Sequence, residues 1–113
     1  MNKAERERDR RELTLYVIEK AFGKVKGVYR ISKQVLDHEV DAYHVTVKLE
    51  GDDTTVQLWC DCQGFRRQKF PQLEHKHIRI ALHYQSIGEP TKAIYRLKGV
   101  GQATKVQFIK EHK

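Results

Sequence analysis

The sequence predicts an α+β fold: a small antiparallel sheet with a β-β-α unit, an N-terminal helix and a C-terminal β-hairpin. Three observations lead there. Tyr43, Val45, Val47 and Leu49 alternate with polar residues in "AYHVTVKLE", and beyond the turn signal "GDD" the stretch "TTVQLWC" is rich in β-branched and aromatic residues, the pattern of an antiparallel hairpin. Beyond Pro71 the period lengthens, so that Ile78, Ala81 and Leu82 recur at helical spacing before Gly88 and Pro90. A second alternating pair, in "TKAIYRLKGVGQATKVQFIK", surrounds a Gly-rich turn.

Each element has its own warrant. "KAERERDRRELTLYVIEKAF" has helix-forming composition, a favourable Glu7–Arg11 pair and Gly23 as a stop, so a helix is expected over 10–22. Its second half, "LTLYVI", also satisfies a strand pattern. "KGVYRISKQVL" reads as a strand. In the next one Tyr43, Val45, Val47 and Leu49 face inward, and His44, Thr46, Lys48 and Glu50 face water. The helix of the β-β-α unit should run from about Gln72 or Leu73 to Ser86. In the final hairpin Ala93, Tyr95 and Leu97 share one face, opposite Arg96 and Lys98; Val106 and Phe108 alternate with Lys105 and Gln107. The expected organisation is a charged arm or helix over 1–22, followed by one domain over 23–113.

Composition narrows the class. A chain of 113 residues, 39% hydrophobic and 33% charged, suits one domain with a modest core. No apolar run approaches the roughly 20 residues that a bilayer span requires, and no apolar segment follows the charges of "MNKAERERDRRE". The expected location is the cytoplasm, or the nucleus in a eukaryote, where a structural disulfide between the two cysteines would be unusual. The net charge is +7, and it is uneven: an acidic stretch over 36–55 separates basic flanks. That excess favours a polyanionic partner.

The chemistry-bearing residues are two close pairs. Cys60 and Cys62 are the only cysteines, and His75 and His77 follow thirteen residues after the second. Zinc takes four tetrahedral ligands from thiolate and imidazole. At a strand end, side chains i and i+2 point to one face, so Cys60 and Cys62 can share an ion. On a regular helix, His75 and His77 would diverge; at a loop-to-helix junction they can converge. Two thiolates would cancel the charge of one Zn2+. The competing interpretation is plainer: the cysteines are small buried hydrophobes and the histidines belong to a wet helix face.

"YRISKQVLDHEVDAYHVTVKLEGDDTTVQLWCDCQGF…EHKHIRIALHY" resembles the SWIM zinc finger, in which a strand pair leads to CxC, a variable loop, and CxH opening a short helix. Cys60 and Cys62 match the CxC element, Phe65 a frequent aromatic after it, and His77-Ile78 the "H-I" that opens the helix. His75 stands where that family usually has its third cysteine. The match covers about residues 28–85, with the zinc module itself at about 43–86. The resemblance implies one structural zinc ion held by Cys60, Cys62, His75 and His77. It also implies the company of DNA- or protein-binding chains such as Mutator-type transposases, chromatin-remodelling helicases and ubiquitin-ligase relatives.

An enzyme is not expected. The HxE…PCxxC and HExxH patterns, a Gly-rich phosphate loop and a GxSxG elbow are all missing from the sequence; Glu74 is the one candidate base near the ligand pairs. The expected function is nucleic-acid binding, DNA before RNA. Arg66, Arg67 and Lys69 would act from the loop, Lys76 and Arg79 from the helix, and Arg96, Lys98 and Lys105 from the last hairpin. Tyr29 or Tyr95 would stack on an unpaired base. The alternative is a protein-interaction adaptor, in which the acidic residues at 37–41 and 52–53 dock a basic partner. His38, His44, His83 and His112 suggest no role.

Overall fold

The computed structural model describes residues 13–21, 26–49, 56–62, 75–98 and 105–112. Within them lie six strands and one helix: β1 (Thr14–Lys20), β2 (Val28–Val35), β3 (His38–Leu49), β4 (Val56–Cys60), α1 (Lys76–Ser86), β5 (Lys92–Lys98) and β6 (Lys105–His112). All strands join one antiparallel sheet in the order β4-β3-β2-β1-β5-β6. The expected α+β fold with an N-terminal helix is therefore corrected to a mostly antiparallel sheet carrying a single short helix.

The N-terminal element is where expectation and structure part. Thr14–Lys20 is a central strand, paired along its length with β2 and at Tyr16–Ile18 with β5. Tyr16 and Ile18 are buried, and Leu15, Val17 and Glu19, which alternate with them, are half-buried. The period of two in "LTLYVI" thus prevails over the helix-forming composition upstream, because two neighbouring strands satisfy its backbone on both sides. Residues 1–12 lie outside the described part of the chain.

The remaining elements follow their sequence patterns. Val45↔Cys60 through Leu49↔Val56 form the β3–β4 hairpin, and Lys92↔His112 through Lys98↔Lys105 form the β5–β6 hairpin. β2 turns into β3 through Leu36 and Asp37, both at positive φ, the geometry that matches the twist of a two-residue hairpin. A bulge follows: Lys33 pairs with Asp41 and Gln34 with Glu39, leaving Val40 as the extra residue.

The sheet has one covered side. α1 packs its Ile78, Ile80, Ala81 and Tyr84 into a core with Ile18, Ile31, Val45, Ala93 and Leu97. Six strands span about 24 Å at about 4.8 Å per strand, whereas a helix with its side chains is about 10–12 Å wide. Large aromatics fill the difference: Tyr16, Tyr29, Tyr84 and Tyr95 are all at most 2% exposed. Their hydroxyls reach partners at the rim. Tyr29 donates to Glu89 (2.8 Å), Tyr84 donates to the Pro90 carbonyl, and Tyr95 pairs with His83 Nδ1 (2.7 Å). Burial removes Tyr29 and Tyr95 from the stacking role the sequence suggested for them.

Gln85 completes the latch at the C-terminal end of α1, donating both to Tyr29 Oη and to the Val47 carbonyl at 2.7 Å. Before β2, Gly27 sits at φ +82, and a Cβ there would lie 2.7 Å from Lys48 Cβ and 2.8 Å from the Val47 carbonyl oxygen. Gly88 has a similar φ of +90 but open space around it. Gly88→Ala should then cost only the left-handed backbone penalty, about 1–2 kcal/mol, while Gly27→Ala should cost clearly more. Urea titrations of both variants check this: equal shifts of the midpoint at unchanged slope would contradict it.

Candidate metal centre

β4 ends at Cys60, whose partner across the hairpin is Val45. The ladder continues for one more residue, Asp61 N–H donating to the His44 carbonyl at 3.2 Å. Extended backbone through Asp61 puts Cys60 and Cys62 on the same, helix-covered side. Asp61 turns the other way, accepting the His44 amide at 3.0 Å and lying 3.4 Å from His44 Nδ1.

α1 meets them with its N-terminus. His75 is the N-cap, in extended conformation, and His77 lies within the first turn. This change of backbone at one residue lets the two imidazoles converge although they are only two positions apart. Cys60 Sγ lies 3.4 Å from His77 Nδ1, and Cys62 Sγ 3.2 Å from His75 Nε2. One ligand atom from each of the four residues falls within 4.8 Å of every other. All four are buried, His75 the least at 9% exposure. Ligand atoms around a tetrahedral zinc, with bonds of about 2.0–2.3 Å, are about 3.3–3.8 Å apart, so only small adjustments separate this cluster from a coordination sphere.

The electrostatics suit a soft cation. Burial pushes the Cys60 thiol up to about 12 and lowers His75 to about 4 and His77 to about 3, nearby positive charge adding to both. The imidazoles are thus neutral, with lone pairs to give, across the physiological range. Neither cysteine is in a disulfide. Ring packing holds the His77 imidazole: Tyr43 stacks on it at 4.4 Å and 27°, and Tyr16 closes from 5.8 Å. Its Nδ1 faces the cluster, while Nε2 is buried without a hydrogen-bond partner. A cleft of about 530 Å³ lined by Asp41, Ala42, Tyr43, Asp61, Cys62, Lys76 and His77 borders the group. Four buried Cys and His side chains this close together can hold a metal ion, and the N2S2 donor set fits zinc.

Tyr43 and Tyr16 were not singled out in the sequence as parts of the site. The alternation of β3 did mark Tyr43 as inward-facing; Tyr16 was hidden by the expected helix.

The basic residues proposed from the sequence fall into separate groups. Lys76 and Arg79 are exposed on α1, Lys76 lying 5.8 Å from the centre of the Tyr16 ring. Arg96 and Lys98 alternate with the buried Ala93, Tyr95 and Leu97, and Lys105 pairs with Lys98, so these three occupy the opposite side of the sheet. Arg66, Arg67 and Lys69 lie outside the described residues, as do Phe65 and Glu74. Among the described residues, no helix is long and apolar enough to cross a membrane.

No family model matches the chain, and neither a curated protein nor a solved structure does.

Two outcomes test the centre. Metal binding at pH 7 must displace the Cys60 proton, so calorimetry in buffers of different ionisation enthalpy should show at least one proton released per zinc, with affinity falling at lower pH. Metal-free protein should lose stability as pH falls from about 6.5 toward 3. The unfolded imidazoles take up protons near 6.5, whereas the native ones resist to about 4 and 3. Thermal melts with chelator at pH 7.5 and pH 5 read this directly; an unchanged Tm would contradict it.

Proposed function

We propose that this chain is a SWIM-type zinc module whose single Zn2+ is structural, and that it binds nucleic acid, DNA in preference to RNA. The observation that carries the zinc reading is the buried Cys60–Cys62–His75–His77 cluster joining a strand end to a helix start. Four protein donors leave no open coordination position, which supports a closed, non-catalytic site. The residues would hold the ion with two thiolates and two neutral imidazoles, and the ion's chemistry there is to bind the end of β4 to the start of α1. Net charge +7 and exposed cations on both layers support a polyanionic partner.

A protein-interaction role is the second reading, and one observation favours it. At the tip of the β2–β3 hairpin, Leu36 is 65% and Val40 56% exposed, beside Asp37, Glu39 and Asp41. An apolar tip ringed by carboxylates repels phosphate and suits a basic protein surface.

Elemental analysis of protein purified without a histidine tag should find one zinc per chain, lost or loosened in His75→Ala. His75→Cys, which restores the ligand type usual in the SWIM pattern, should retain zinc against a chelator longer than wild type does. Folded wild-type protein without zinc would sink the metal reading. A mobility shift with DNA should weaken steeply between 50 and 200 mM salt; if no shift occurs while a partner protein survives nuclease treatment, the adaptor reading stands instead.

A further inference from the structure

The β5–β6 hairpin forms one edge of the sheet, and its two sides differ in charge. Ala93, Tyr95 and Leu97 are buried on the side that α1 covers, so Lys92, Ile94, Arg96 and Lys98 face the other way. Across the ladder from these four stand His112, Lys110, Gln107 and Lys105. The paired residues on that side of the hairpin therefore include five lysines and arginines and no carboxylate.

A bulge produces this segregation. Tyr95 pairs with Phe108 but Ile94 with Lys110, leaving Ile109 as the extra residue in β6. Phe108 is on the covered side, against the rings of His83 and Tyr95. Without the bulge, alternation would send Lys110 to that side and bring Glu111, the one acid of the two strands, out among the cations. With it, Lys110 joins Arg96, Lys98 and Lys105, and Glu111 lies opposite the buried Ala93.

These four cations are not neutralised within the described residues. Lys98 and Lys105 are exposed and directly opposed, an arrangement that costs a sheet stability and that a bound anion relieves. Arg96 Nε is shielded from water without a hydrogen-bond partner. None of the four is in an ion pair with a described residue. The carboxylates on this side of the sheet lie off the hairpin. Glu19 on β1 and Glu39 on β3 engage Arg30 at 3.9 and 2.8 Å, and Asp61 lies beyond β4 beside His44. Glu19 also adjoins Lys92, one residue past the Ile18↔Ala93 pair, which sets Lys92 apart from the four.

We infer that the outward side of the β5–β6 hairpin is a contact for the phosphate backbone of duplex DNA, made by Arg96, Lys98, Lys105 and Lys110. The inference rests on the nucleic-acid reading above and names the surface and the form of the ligand. No aromatic side chain of the paired residues is on this side to stack on an unpaired base. Attraction then comes from charge, and a duplex carries twice the phosphates of one strand over the same length. A protein partner would require an apolar centre, for which these paired residues offer only the half-buried Ile94. From Ile94, opposite Lys110, to Lys98 is about 14 Å at about 3.4 Å per residue. A duplex presents about eight phosphates in that length, counting both strands, enough for four cations.

Anisotropy of a labelled 20-base-pair duplex titrated with the full chain, zinc supplied, at 50 to 200 mM salt tests this. Four phosphate contacts give a slope of about −3.6 in log K against log salt. Lys98→Gln, Lys105→Gln and Lys110→Gln should each weaken binding and flatten that slope by about 1, to the same extent on duplexes of different sequence. Lys26→Gln, exposed in the turn before β2, should change neither. Lys98→Gln relieves the opposition to Lys105, so the Tm of the free protein should not fall, which separates a binding loss from a folding one. Slopes unchanged in all three lysine variants, with the loss in Arg79→Gln instead, would overturn the site and leave nucleic-acid binding intact. Tighter binding of a 20-nucleotide single strand would overturn the duplex as occupant. Failure of duplex, single strand and RNA alike to bind would overturn both this inference and the nucleic-acid reading, and binding of polyglutamate in their place would give the hairpin to an acidic protein.

Discussion

The chain's architecture depends on where α1 is made to begin. Its N-cap and the second residue of its first turn contact the two cysteines at the end of β4. That junction fixes the helix start over the edge of the sheet and so determines which of its faces meets the core. From there, Ile78, Ala81 and Tyr84 fall on the covered side, and the far end is held by Gln85 and by Glu89, which accepts from Tyr29. When metal-free, the junction is a group of desolvated side chains held by long contacts to sulfur. Such contacts are weak, and the burial of four polar groups offsets part of what they contribute. A zinc ion changes the balance, since structural sites in zinc-finger peptides contribute about 10–16 kcal/mol of apparent binding free energy near neutral pH.

The rest of the molecule follows from having one helix for six strands. An antiparallel sheet tolerates water on one side, and here the two sides divide the chemistry. The covered side holds the tyrosines, the aliphatic core and the Cys/His cluster. The other holds Trp59 and charges of both signs, among them Arg30 with Glu19 and Glu39, and Lys48, Arg96, Lys98 and Lys105. Lys76 and Arg79 are separated from Arg96, Lys98 and Lys105 by the thickness of the sheet and helix, so a single rigid ligand cannot contact both groups at once.

Most of this was legible from period alone. Alternation located β3, β5 and β6, β-branched and aromatic composition after the GDD turn located β4, and the lengthened period after Pro71 located α1 near its observed bounds. The ligand pairs were legible because CxC at a strand end and HxH at a helix start each make local sense, although only the fold brings the two pairs together. β1 was misread because charge-rich residues upstream were weighed with it. What makes Thr14–Lys20 a strand is its pairing with residues far along the chain, Tyr29–Val35 and Ala93–Tyr95, and no local pattern contains that. The same non-local pairing buried Tyr29 and Tyr95, which the sequence had offered as exposed rings.

His75 shows how closely metal and helix are linked. Its Nδ1 accepts the His77 amide at 3.2 Å, serving as the cap that would otherwise be an Asp or Ser oxygen. In a neutral imidazole that places the proton on Nε2, the atom facing Cys62. Ligation through Nε2 needs the reverse: the lone pair there and the proton on Nδ1, which can no longer accept the amide. His77 has no such conflict, since its Nδ1 already faces Cys60 and its Nε2 can carry the proton in either state. The two histidines therefore differ as ligands. His77, stacked on Tyr43 and 1% exposed, would take a metal without rearrangement, whereas His75 would exchange a helix cap for a metal bond. A cysteine at that position would have no such cap to lose and would add a thiolate.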